Sequence, residues 1–203
     1  DDQVTRQASC QEIIRRYYSS LVSARQGLGE ESDAAKIELL MKQVGITVED
    51  RPVVAAALNK AEETSAPAVA MELSDGTIIT GKTSSLLGAS ASMLLNCLKV
   101  LAGIPDEINL ISPTIIEPMQ KLKTEIMGNH NPRLHTDEIL IALSICAATD
   151  SLAKQALDNA YKLAGCEAHS SVILSGVDEN VFRKLGVNLT CEPKYQTKKL
   201  YHN

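Results

Sequence analysis

GTIITGKTSSLLGASASMLLNCLKVLAG, residues 76–103, is the stretch on which the fold of this chain turns. Thr77 to Thr80 is β-branched, as strands favour. Gly81-Lys82-Thr83-Ser84 is then expected to turn the chain into a helix. From Ser84 to Leu101 the one charged residue is Lys99. A helix apolar on nearly every side is buried on nearly every side. It is therefore expected to be the spine of the domain, with Lys82 and Thr83 at its mouth.

Upstream, Pro67 to Leu73 reads as a strand, and Ser74-Asp75-Gly76 as a tight hairpin turn. Further upstream lie three helices. Val4 to Arg25 carries Ile13, Ile14, Tyr17, Tyr18 and Leu21 at helical spacing. Asp33 to Val44 is closed by Gly45, and a third helix starts at Thr47 to Pro52 and runs to Glu63. Downstream, Glu107 to Ile111 reads as a third strand and Pro118 to Lys123 as a short helix. Thr124 to Leu134 reads as a loop and Thr136 to Ala148 as a second almost wholly apolar helix. A helix over Ser151 to Ala164, a strand over Ser170 to Leu174, a helix over Glu179 to Leu185 and a strand over Val187 to Cys191 follow. The tail from Glu192 to Asn203, with Lys198 and Lys199, is polar and basic.

This order predicts an α/β domain over residues 46–203. A small mixed sheet is sandwiched by helices, with the two apolar helices at its centre. Residues 1–45 are expected to form a helical lobe, or a link to a missing N-terminal region, since the chain begins at Asp1. Leu101-Ala-Gly103 recurs as Leu163-Ala-Gly165, and Ser112, Met119, Lys121 and Leu122 as Ser175, Phe182, Lys184 and Leu185. That allows an internal duplication, or merely the shared grammar of helix and strand ends.

Composition narrows the function. Apolar residues make up 44% of the 203, enough for a full core. Aromatics are 3% and the net charge is −5, which argues against a stacking platform or a basic footprint for nucleic acid. No apolar run approaches membrane-spanning length. The five cysteines are widely spaced without a CxxC pair, as expected of reduced thiols in a cytoplasmic protein.

Gly76-Thr-Ile-Ile-Thr-Gly-Lys-Thr83 satisfies the phosphate-loop pattern GxxxxGK[ST]. The match is rejected here. A phosphate loop needs a strand before its first glycine and a loop whose amides turn inward, whereas these intervening residues are β-branched and Asp75-Gly76 serves a hairpin. Lys82, Thr83 and Ser84 at a helix start remain candidates to hold an anion. The second concentration of reactive groups is Asn129 to Glu138. There Arg133 suits a carboxylate or phosphate, and His135 suits proton transfer near neutral pH. Thr136, Asp137 and Glu138 suit the start of a helix, and Thr136 joins the anion-binding candidates. Glu167 and His169 share one face ahead of a strand and are further catalytic candidates. His130 and His135 lack the one-turn spacing of a helical metal pair, and no metal site is expected.

GKTSSLLGAS, ISPTIIEPMQKLK, NPRLHTDEILIALSI, GCEAHSSVIL and KLGVNLTCEPKYQ together resemble the C-terminal part of a bacterial family known as domain of unknown function 1846. The resemblance covers essentially the whole chain. It implies a longer full-length protein whose N-terminal half carries its own Gly-rich, phosphate-loop-like segment, and it implies no particular activity. The hairpin followed by a buried helix is also similar to the opening of cytidine-deaminase-like domains. The zinc-binding residues of those domains have no counterpart here.

Two functions fit. One is an enzyme domain binding an anionic or phosphorylated small molecule, possible in concert with the missing nucleotide-binding half. Lys82, Thr83, Ser84, Arg133 and Thr136 would hold the anion, and His135, His169 and Glu167 would move protons. The other is a non-catalytic accessory or homo-oligomerisation domain, with Tyr17 and Tyr18 exposed at the interface. The cofactor, if any, is unknown.

Overall fold

Asp75 and Gly76 close the hairpin that begins the sheet. Gly76 adopts φ +85°, and the Thr77 amide donates to Asp75 Oδ1 at 2.9 Å. The hairpin joins β1 (Ala68–Glu72) to β2 (Ile78–Lys82) with Ala70 opposite Thr80. The computed structural model describes residues 1–196; Lys198 and Lys199 lie outside the described residues. Three helices precede the hairpin: α1 (Asp2–Arg25), α2 (Glu31–Val44) and α3 (Pro52–Thr64). After it come α4 (Ala89–Leu101), α5 (Pro113–Lys121), α6 (Thr136–Cys146), α7 (Ser151–Asp158), β3 (Glu167–Ser170), α8 (Gly176–Leu185) and β4 (Asn188–Cys191).

The chain is thus mixed α/β, with a four-stranded sheet in the order β2-β1-β3-β4. β1 is antiparallel to both neighbours, while β3 and β4 run parallel across the α8 crossover. Strand side chains alternate between faces. Val69, Met71 and Ala168 enter the main core with Leu94, Leu98, Ile139, Leu143 and Phe182 of α4, α6 and α8. On the other face Ala70 packs on Val53 and Ala57 of α3. α1 lies beside it, burying Ile14 and Tyr18 against Met41, Ile46 and Val54. Tyr18 is therefore a core residue and not the exposed interface residue expected. Among the described residues no helix is long and apolar enough to cross a membrane.

Several boundaries differ from the sequence expectation. β2 runs through Gly81 and Lys82, and α4 begins only at Ala89. Between them Ser84 builds a turn, its Oγ accepting the amides of Leu86 and Leu87 at 3.2 and 3.1 Å. Lys82 and Thr83 therefore stand at a strand end and not in a helix's first turn. Glu107 to Ile111 forms no strand. Leu110 and Ile111 instead plug the main core without a ladder partner. The strand expected at Ser170 to Leu174 is displaced to Glu167–Ser170, because Ser170 Oγ turns the chain by bonding the carbonyl and amide of Val172 at 2.7 and 3.3 Å. α5 starts earlier than expected, at Pro113, with Ser112 as its cap, and a π turn over Leu122–Ile126 takes up part of the expected loop.

The residues that recur along the chain are shared end signals. Gly103 and Gly165 both have positive φ after helical segments, and Ser112 and Ser175 are both N-caps. The segment at 107–111 has no counterpart of β3, so the two stretches fold differently.

Candidate functional site

Three helix starts converge on one cavity of about 370 Å³. Gly88, Ala89 and Ser90 open α4 there, His135 precedes α6, and Ser175 precedes α8. Thr83, Arg133 and Asp178 join them in the wall. The loop carrying Arg133 is bolted in place by Lys123, whose Nζ donates to the Arg133 carbonyl at 2.6 Å and to Glu138 at 2.9 Å.

The first amides of any α-helix lack partners within the helix, and the three helices meet that need differently. At α6, Asp178 Oδ1 accepts the Thr136 amide at 3.0 Å and the Thr136 hydroxyl at 2.7 Å, and Glu138 accepts the His135 amide at 3.1 Å. At α8, Ser175 Oγ accepts the Asp178 amide at 3.3 Å. At α4 the cap is Gly88, which has no side chain to offer. Among the described residues no acceptor meets the amides of Ala89, Ser90 and Ala91. The Ser90 hydroxyl, on a residue 2% exposed, also has no partner. Buried polar groups are normally hydrogen-bonded, so the mouth of α4 is a set of unused donors beside a cavity.

Cationic and anionic groups meet around this mouth. His135 Nδ1 lies 3.5 Å from Asp178 Oδ2. Hydrogen bonding to the Asp178 carboxylate raises the imidazole pKa above its ordinary value, against the opposing effect of burial. Burial pushes the Asp178 carboxyl up, but the bonds from His135 and Thr136 outweigh it and hold the group below the ordinary carboxylate value. His135 therefore holds a proton more readily than a free imidazole, beside a carboxylate whose charge is spent on the start of α6. Arg133, whose Nε donates to the Ser84 carbonyl, adds a cation to the wall. The positive end of α4 adds about half a charge.

The remaining sequence candidates are placed elsewhere. Lys82 is exposed and lines a separate cavity of about 310 Å³ with Ser84, Asn96 and Lys99. The Ser84 hydroxyl is occupied by its own turn. Thr136 is fully buried and bonded to Asp178. Glu167 and His169 lie on the far face of the sheet, with Ala70 and under α1.

On that far face Arg51, 0% exposed, spends its guanidinium on five acceptors: Gln11, Glu167, Thr190 and the carbonyls of Ala168 and Asn188. Glu167 also takes Arg15 of α1 and Asn188. His169, also 0% exposed, places Nδ1 2.7 Å from Thr190 Oγ1 and Nε2 3.1 Å from Glu192, with the Tyr18 ring edge-on at 4.7 Å. Burial drives its pKa down, with Glu192 opposing. With both ring nitrogens engaged and no solvent access, this histidine ties α1 to the sheet. Cys97 and Cys191 are buried thiols, and burial raises both to about 12.

Sequence reasoning missed Ser90, Asp178 and Arg51. Ser90 left a faint signal, a Gly-Ala-Ser-Ala-Ser run in the first turn of an otherwise apolar helix. Asp178 and Arg51 left none, because their partners are distant in sequence.

Residues 49–201 match the profile of domain of unknown function DUF1846, C-terminal, and residues 1–45 that of its N-terminal counterpart. The chain is 55% identical over 99% of its length to a UPF0371 protein of Corynebacterium efficiens, and 53% identical to one of Corynebacterium diphtheriae. It is 50% identical to a UPF0371 protein of Streptococcus thermophilus. The chain spans 41%, 40% and 41% of these relatives' lengths.

Proposed function

This chain belongs to the family of domain of unknown function DUF1846, and we propose that it holds the anionic group of a small molecule, phosphate above all, at the mouth of α4. The observation that carries this reading is Ser90, a buried hydroxyl that, among the described residues, has no partner and stands beside three unpartnered amides. Donors in that arrangement match the oxygens of a phosphate or carboxylate. Arg133 and Thr83 complete the cradle, and His135, 3.5 Å from Asp178, is the group placed to give a proton to the bound species. Lys82, Ser84, Glu167 and His169 have no part in it. As five free thiols are at home in a reducing compartment, the protein is assigned to the cytoplasm.

Calorimetric titration with inorganic phosphate, beside the Ser90→Val variant, tests the proposal. Binding lost in Ser90→Val supports it. No heat from the native protein at millimolar phosphate, or equal heats from both, refutes it.

A second reading, assembly with another copy of the chain, moves from Tyr17 and Tyr18 to the outer face of α6. Ile141 and Ile145 stand there 59% and 68% exposed. Sedimentation that gives a monomer at every concentration, unchanged in Ile145→Glu, removes it.

A further inference from the structure

The same cavity bears on what is attached to the anion, and the inference rests on the anion-binding reading above. Inorganic phosphate would fill only a corner of about 370 Å³, a volume within the ~300–1,000 Å³ range of sites for organic ligands. The wall is also divided by chemistry. Ser90, Arg133 and His135 stand at or beside helix starts, whereas Val172, Ile173 and Leu174 are an apolar run, and Thr83 is paired through its amide to the Pro67 carbonyl at 2.9 Å.

Tyr195 borders that space and is half-exposed. It is also held in place. The Lys194 carbonyl accepts the Ile173 amide at 2.7 Å, pinning the strand-like segment after β4 to the apolar wall. Arg25, at the end of α1, sets its guanidinium 4.9 Å from the centre of the Tyr195 ring. A ring held by a cation and left half open beside a cavity is a platform for another flat group. Gln26 and Gln196, which also line the cavity, carry amides able to read the polar edge of such a group.

We infer that the ligand is a phosphate monoester with a flat aromatic body, its phosphate on Ser90 and the α4 amides and its ring on Tyr195. A sugar phosphate meets the first half of the site and not the second. Stacking of one flat ring on an aromatic side chain gives a margin of roughly five- to 150-fold in affinity.

The test measures dissociation constants of the protein for inorganic phosphate, glucose 6-phosphate, phenyl phosphate and adenosine 5′-monophosphate. It repeats them in Tyr195→Ala, Tyr195→Phe and Ser90→Val. The expected result is that at least one aromatic ester binds about fivefold or more tighter than both inorganic phosphate and glucose 6-phosphate. Tyr195→Ala erases that margin without weakening inorganic phosphate, Tyr195→Phe keeps it, and Ser90→Val weakens all four. Equal affinity for the four probes, each lost in Ser90→Val, overturns the aromatic body and leaves the anion site standing. A margin that survives Tyr195→Ala overturns the platform. Failure of all four to bind overturns both proposals together.

Discussion

Gly81 of β2 lies directly against Met93 of α4: a β-carbon on residue 81 would stand 2.1 Å from the Met93 backbone nitrogen. The glycine that completes the apparent phosphate-loop pattern is there for close packing of a strand on a helix. Met93 is fully buried at that crossing and meets the Cys97 sulfur at 3.3 Å. Any side chain at residue 81 pries the spine helix away from the sheet.

Gly81→Ala is therefore expected to cost about 3 kcal/mol or more, since the obstacle is backbone and cannot rotate aside. Gly76→Ala is expected to cost only ~1 kcal/mol. Nothing crowds Gly76, and its penalty is the positive φ alone. Urea unfolding of the two variants checks the ranking, and equal losses would refute the packing account.

Ser90→Ala should leave the unliganded protein as stable as before, or slightly more so. The change removes a buried hydroxyl that has no partner, whereas loss of a satisfied buried hydroxyl costs ~1 kcal/mol. The same variant should lose stabilisation by phosphate, which for the native protein is ~2.7 kcal/mol at one hundred times the dissociation constant. Thermal unfolding with and without phosphate separates the two effects. A variant destabilised without ligand yet still stabilised by phosphate would contradict the assignment.

Anion binding should weaken as pH rises through the His135 pKa. Asp178 raises that value above the ordinary 6.5, so the imidazolium persists to higher pH than in a free histidine and is lost as pH rises through the raised value. Its contribution to folding stability is complete below 6.5 and is lost in the same direction. In Asp178→Asn the fall in phosphate affinity should begin at lower pH. A pH profile identical in both proteins would exclude His135 as the titrating group.

His169 should act in the opposite direction. Its pKa is lowered by burial, so its contribution is complete above 6.5 and is lost as pH falls toward the depressed folded value. The unfolded chain takes a proton in that window that the folded chain refuses. Urea midpoints should decline below pH 6.5 in the native protein and decline less in His169→Gln. Parallel declines would show that other groups carry the acid sensitivity.

Arg51→Met should cost about 3 kcal/mol, because it strips one partner from a buried, hydrogen-bonded ion pair. Glu167 keeps Arg15 and is 20% exposed at its side chain, which holds the loss below the top of the range for such pairs. Hydrogen exchange should then speed up in α1 as well as in β3, since Arg51 joins Gln11 to Glu167. Faster exchange confined to the sheet would show that α1 is held without this network.

Features carried by neighbouring residues were legible before any coordinates. The Asp75-Gly76 hairpin, the apolar helices at α4 and α6, the Gly45 stop and the Thr136 helix start depend on residues a few positions apart. What failed was reading an apolar run as a strand. Leu110 and Ile111 are as buried as strand residues, and a short buried run has no periodicity that distinguishes a ladder from a plug.

The site was half legible for the same physical reason. The residue types and their helix starts could be read locally, so Thr83, Arg133 and His135 were named among the residues that now line one cavity. Their company could not. Lys82 and Thr83 are adjacent, yet alternation along an extended chain sends them to different cavities. Asp178 reaches the start of α6 only because α8 packs beside it. The sequence alone determined the Asp75-Gly76 hairpin, the Gly45 stop and the start of α6, because those choices are settled within a few residues. Which helix starts share a cavity, which hydroxyl there lacks a partner, and which histidine is sealed under α1 were decided by the tertiary structure, because strand register and helix packing join residues that are far apart along the chain.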